Sequence, residues 1–86
     1  MVEEIEKGYF LMEPLIIKID YSDKEIFVEH EALEIYSDGI NEQSAIKGLK
    51  LEIADLFDDL NEEKDENLSQ EFIDKKKLIN QMIEKR

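Results

Sequence analysis

Leu15-Ile16-Ile17-Lys18-Ile19-Asp20, Glu25-Ile26-Phe27-Val28-Glu29-His30 and Leu33-Glu34-Ile35-Tyr36-Ser37 follow one another with short polar breaks, and Asp38-Gly39 closes the series. Each segment alternates. Leu15, Ile17 and Ile19, then Ile26, Val28 and His30, then Leu33 and Ile35 fall on one side, because successive side chains of an extended chain point to opposite faces. The break Tyr21-Ser22-Asp23-Lys24 carries a Ser-Asp turn signal, and connections this short join antiparallel neighbours. The spacing predicts a three-stranded antiparallel meander.

The period then changes. Asn41 is a good N-cap, Glu42 suits the first turn of a helix, and Ala45, Ile46, Leu49, Ile53, Leu56, Phe57 and Leu60 recur at helical spacing. This helix is predicted to end near residues 61–63. Gly48 lies inside it at a cost of about 1 kcal/mol relative to Ala, and its missing side chain would allow close approach to the sheet. The chain therefore divides into an N-terminal arm or edge strand (1–13, with Tyr9-Phe10-Leu11-Met12 as its apolar part), a βββα core (14–61), a charged linker (62–68) and a C-terminal helix (69–86). Ser69 is the predicted cap of that last helix. Its apolar positions are Phe72, Ile73, Leu78, Ile79, Met82 and Ile83, interrupted by Lys75-Lys76-Lys77. The expected fold class is α+β.

Composition narrows the function. Twenty-three acidic residues against eleven basic ones give a net charge of −12, while the last twelve residues, from Lys75 onward, carry five bases against one acid, a local charge of +4. A surface this acidic repels phosphate backbones, so direct nucleic-acid binding is not expected, whereas a basic protein is favoured electrostatically. The absence of Cys fits a reducing compartment, the acidic N-terminus does not resemble a signal peptide, and no apolar run approaches the ~20 residues of a membrane span. A cytoplasmic protein is expected. A chain of 86 residues buries only about 60% of the surface that it exposes when unfolded, which favours a partner or a homo-dimer or higher oligomer.

Catalytic groupings are scarce. His30 is the single histidine, and between Glu29 and Glu31 it is expected to be a rim residue. Gly8, Gly39 and Gly48 do not form a phosphate-binding loop, and Asp20, Asp23 and Glu25 read as turn chemistry without the spacing of a calcium loop. No enzyme activity, cofactor or metal site is expected.

Two acidic surfaces invite a binding role. On the second face of the meander, Ile16, Phe27 and Tyr36 sit among Lys18, Glu25, Glu29 and Glu34. That face is covered either by the arm at 9–12 or the last helix, or by a partner or second copy. Asp55, Asp58, Asp59, Glu62 and Glu63 crowd the C-terminal end of the first helix, where the dipole disfavours them and a basic partner would relieve the repulsion. The candidate partner-binding residues are Phe27, Tyr36, Glu25, Glu29, Asp58 and Asp59, with Phe72, Ile79 and Met82 of the last helix.

Over residues 14–60 the pattern Leu15–Asp20, Glu25–Glu29 and Leu33–Gly39, continued by Asn41-Glu42-Gln43-Ser44-Ala45-Ile46, resembles the core of HicB-like antitoxins. The resemblance implies a βββα unit with a partial RNase H-like fold. It further implies a protein that binds and blocks a small basic ribonuclease toxin and commonly oligomerises. The alternative from the residues themselves is a structural homo-oligomer or inhibitor module without catalytic or DNA-binding activity.

Overall fold

The computed structural model describes Val2–Arg86 as an α+β fold with two antiparallel sheets and two helices. The predicted meander is present as β3 (Lys18–Tyr21), β4 (Ile26–His30) and β5 (Ile35–Gly39), ordered β3-β4-β5. Residues 14–17 alternate as expected but stay outside the ladder; the register would set Ile17 opposite His30, the last residue of β4, and Ile16 beyond its end. The third strand also starts later than predicted. Residues 31–34 form a turn closed by Glu34 N–H to Glu31 O at 3.1 Å, with Glu34 at φ 55. Leu33 still points inward and is 1% exposed.

The long helix α1 (Glu42–Glu62) starts and stops where its periodicity places it, and the Asn41 side chain accepts a hydrogen bond from Ser44 N–H at 2.8 Å. Ala45, Leu49, Ile53, Ala54, Phe57 and Leu60 form its buried stripe. Tyr21 of β3 donates its hydroxyl proton to Glu42 and so ties the end of the meander to the start of α1. Helix α2 (Gln70–Met82) is capped by Ser69, which accepts from Phe72 N–H, and the linker before it contains a short 3-10 turn, Asp65–Asn67. No helix among the described residues is long and apolar enough to cross a membrane.

The two chain ends depart from the sequence reading. Residues 1–13 do not form a lone arm: β1 (Glu3–Glu6) and β2 (Tyr9–Leu11) make a hairpin around Lys7-Gly8, with Gly8 at φ 86 where only glycine is comfortable. The helix predicted over 69–86 stops at Met82, and β6 (Ile83–Lys85) pairs antiparallel with β2 to give a second sheet ordered β1-β2-β6. Met12 N–H to Met82 O at 2.7 Å and Arg86 N–H to Gly8 O at 2.8 Å extend this pairing at both ends. The hairpin edge supplies unpaired backbone groups, and satisfying them outweighs one more turn of helix.

One core serves both sheets. Val28 and Leu33 of the meander region, the stripe of α1, Leu11 of β2, Ile79 and Met82 of α2 and Ile83 of β6 belong to a single buried cluster.

Gly48 of α1 faces Ser37 of β5 so closely that a Cβ at that position would run into Ser37 Oγ. Gly48→Ala alone should therefore yield less than the gain of about 1 kcal/mol that helix propensity allows, while the full gain should return in a Ser37→Ala background. Urea unfolding of the four proteins of this cycle measures the coupling, and additive effects would mean that the close approach has no energetic consequence.

Candidate functional site

At the acidic end of α1, the Asp58 carboxylate is paired within the chain. Lys85 Nζ lies 3.4 Å from Asp58 Oδ1, and Tyr9 donates its hydroxyl proton to the same carboxylate. Lys85 also sits over the Tyr9 ring at 5.1 Å, and Tyr9 meets Phe57 edge-on at 6.0 Å. The Tyr9 hydroxyl is held above its ordinary pKa, first by its hydrogen bond to Asp58, with Lys85 opposing. Lys76 of α2 reaches Glu63 O at 3.0 Å and Asp65 Oδ1 at 2.8 Å, beside the C-terminal cap of α1. Lys75 lies 3.6 Å from both Glu34 and Glu71. The basic tail thus folds back on Asp58 and Asp65, whereas Asp55, Asp59, Glu62 and Glu63 have no ion pair among the described residues. Asp58 belongs to this internal cluster and is not a free docking group.

Ile79 and Met82, expected on a partner-binding face, are likewise engaged within the chain. They are 0% and 2% exposed, packed in the core, and unavailable to a partner. Phe72 remains 43% exposed on α2 with Lys75 Nζ 5.2 Å from its ring centre, and Asp59 is exposed on α1; neither lies on a strand of the meander.

The outer face of the meander is where exposed apolar groups and carboxylates coincide. Cross-strand register sets Asp20, Phe27 and Asp38 side by side, and Lys18, Glu29 and Tyr36 in the next row. Directly opposite side chains on one face of a sheet lie about 5 Å apart, so Phe27 is flanked by two carboxylates. Ile16 and Ile40 continue the same phase at the two ends, each 83% exposed, with Tyr36 at 73%. Glu25 and Glu31 complete the set, giving five carboxylates against Lys18, which is itself paired with Glu31 at 2.8 Å. The Glu25 carboxyl is raised above its ordinary pKa, first by a hydrogen bond shared with Asp38 and then by that group's charge. Neither the hairpin arm nor α2 covers this face. The arm pairs with β6, and α2 contributes Ile79 and Met82 to the core on the other side.

His30, expected at a rim, is 8% exposed at the end of β4. Its Nδ1 accepts Leu33 N–H at 3.2 Å and so closes the turn that leads into β5. Burial lowers its pKa from 6.5, with its own backbone carbonyl and Glu13 opposing. The unfolded ring takes up a proton near the ordinary value and the folded ring resists it, so stability carried by neutral His30 is present above pH 6.5 and lost as pH falls below it. His30→Asn keeps an acceptor for Leu33 N–H without titrating. Between about pH 7.5 and about pH 5.5, the wild type should lose stability relative to this variant, as read by thermal unfolding. Parallel curves would rule the coupling out.

No protein-family model, curated protein or solved structure matches this chain.

That Phe27 and Tyr36 share the second face was legible in the alternation of the strands, but the register that sets Asp20 and Asp38 beside Phe27 was not, since both read as turn residues. Exposure was not, since it depends on where the arm and the last helix fold. The Lys7-Gly8 turn between Glu3–Glu6 and Tyr9–Leu11 was the available signal for the hairpin.

Proposed function

We propose that the outer face of the meander docks a small basic protein and blocks it by occlusion, in the manner of the HicB-like antitoxins that residues 14–60 resemble. The observation that carries this reading is the uncovered face on which Ile16, Phe27, Tyr36 and Ile40 alternate with Asp20, Glu25, Glu29, Glu31 and Asp38. A Lys or Arg of the partner laid over Phe27 would meet a ring face and a carboxylate on either side, combining cation–π and ionic contacts. It would also bring a positive charge beside Glu25, whose carboxyl the neighbouring Asp38 raises above its ordinary pKa. Phe27 and Tyr36 supply the aromatic anchors typical of interface hot spots. Self-assembly through the same face is disfavoured, because two copies face to face would oppose ten carboxylates with two lysines.

The test is capture by the tagged full chain in its native source, with the mass of the complex from light scattering, compared with Asp20→Lys/Glu25→Lys/Asp38→Lys. The reversed positions are solvent-exposed, so the fold should persist. The wild type should retain one small basic protein at fixed stoichiometry, released at high salt, and the variant should bind it at least about tenfold more weakly. Equal capture by the variant would remove the electrostatic mechanism. Recovery of the chain alone as a salt-resistant dimer or tetramer would transfer the face to self-assembly.

A further inference from the structure

A cleft of about 350 Å³ opens at the end of the meander, between residues 13–18, the end of β4 with its turn, and the C-terminal half of α2. Pro14, Ile17, Ala32, Leu78 and Met82 give it apolar walls. Glu13 and Glu31 are exposed at its rim and Glu29 is half-buried, while His30 is the most deeply buried polar side chain that lines it. The rim's cation, Lys18, is already engaged by Glu31 at 2.8 Å, and Glu13 and Glu29 have no ion pair among the described residues. With Nδ1 accepting from Leu33, the neutral His30 ring carries its proton on Nε2, which has no hydrogen-bond partner among the described residues. No fully buried side-chain nitrogen there lacks a partner, so Nε2 keeps contact with solvent, and its residue lines the cleft.

We propose that this cleft receives one lysine or arginine side chain of the docked basic protein. The inference rests on the docking reading above and specifies how the partner is held. An apolar side chain would fill the walls but strip water from Glu13 and Glu29 without replacing it, and an anion would be repelled. A long cationic side chain meets both needs, with its aliphatic stem against Pro14, Ile17 and Leu78 and its charged head at the rim. His30 Nε2–H is then the donor for a carbonyl of the incoming backbone. The volume lies at the lower end of the roughly 300–1,000 Å³ of small-ligand pockets, which suits one side chain.

The test is an NMR titration of the full chain with N-acetyl-arginine methylamide and with its neutral isostere, N-acetyl-citrulline methylamide. The arginine probe should shift the amides of residues 29–33 and the methyl signals of Ile17 and Leu78, saturating at about millimolar concentration. The citrulline probe should bind about fivefold more weakly or not at all. Ala32→Leu, at an exposed turn position, should fill the cleft and abolish saturation. Glu13→Gln/Glu29→Gln, which keeps the shape, should weaken arginine about fivefold and leave citrulline unchanged. Equal binding of both probes, or saturation that survives Ala32→Leu, would overturn the proposal. Arginine shifts confined to the surroundings of Phe27 and Tyr36 would overturn it too, while leaving the sheet-face reading in place. Saturation within the cleft, combined with a basic protein still captured by Asp20→Lys/Glu25→Lys/Asp38→Lys, would uphold the cleft and remove the sheet face.

Discussion

Ile53→Ala is expected to lower the free energy of unfolding by about 2–5 kcal/mol. Ile53 is 0% exposed in the middle of α1 and belongs to the cluster that joins the meander to α2 and the second sheet. The lost apolar area and the cavity left behind both contribute, since elements packed from several sides relax little. A domain of 86 residues has only about 4–13 kcal/mol in total, so the variant should lie near its unfolding threshold at 37 °C. Leu51→Ala is the control. Leu51 is 37% exposed on the same helix and should change stability by less than about 1 kcal/mol. Urea unfolding followed by circular dichroism measures both, and equal losses at the two positions would mean that the buried stripe is misassigned.

Truncation after Met82 is expected to release the N-terminal hairpin. Ile83 is 2% exposed, and burying such a side chain stabilises by about 1.5–3 kcal/mol. Removal of residues 83–86 also deletes the β2–β6 ladder, the Arg86 N–H to Gly8 O bond and the Lys85–Asp58 contact. What remains is a two-stranded hairpin, which is marginal in water by itself. Amide exchange should therefore accelerate across β1 and β2 to near the unstructured rate, while β4 and the centre of α1 lose protection only in proportion to the drop in global stability. Deletion of Arg86 alone should leave Ile83 buried and β2 protected. Unchanged exchange in β2 after the longer truncation would show that the hairpin stands without its third strand.

Both experiments separate local from long-range determinants. The meander and α1 were legible because their signals are local: alternation between residues 15 and 37, a side-chain cap at Asn41, an apolar stripe at helical spacing and a second cap at Ser69. Gly48 was legible in the same way, as a gap in the stripe where the helix approaches Ser37. The second sheet was not, because it joins residues from opposite ends of the chain. Ile83-Glu84-Lys85 carries a helical pattern with Ile79 and Met82, and only the free edge of β2 turns it into a strand.

The candidate site divides along the same line. Phe27, Tyr36, Glu25 and Glu29 were named from strand phase, and they share one uncovered face. Asp58, Ile79 and Met82 were named from charge and amphipathicity, which report that a residue seeks a partner but not which one. For Asp58 the partners are Tyr9 and Lys85, and for Ile79 and Met82 the partner is the core. The sequence by itself determined the βββα order, both helix starts and the acidic, apolar alternation of the outer face, because each depends on neighbours within a few residues. Tertiary structure alone decided which acids the basic tail neutralises, where His30 is buried and which face stays open. Those outcomes depend on contacts between distant segments, and such contacts form only where backbone edges and buried apolar area reward closing the chain between them.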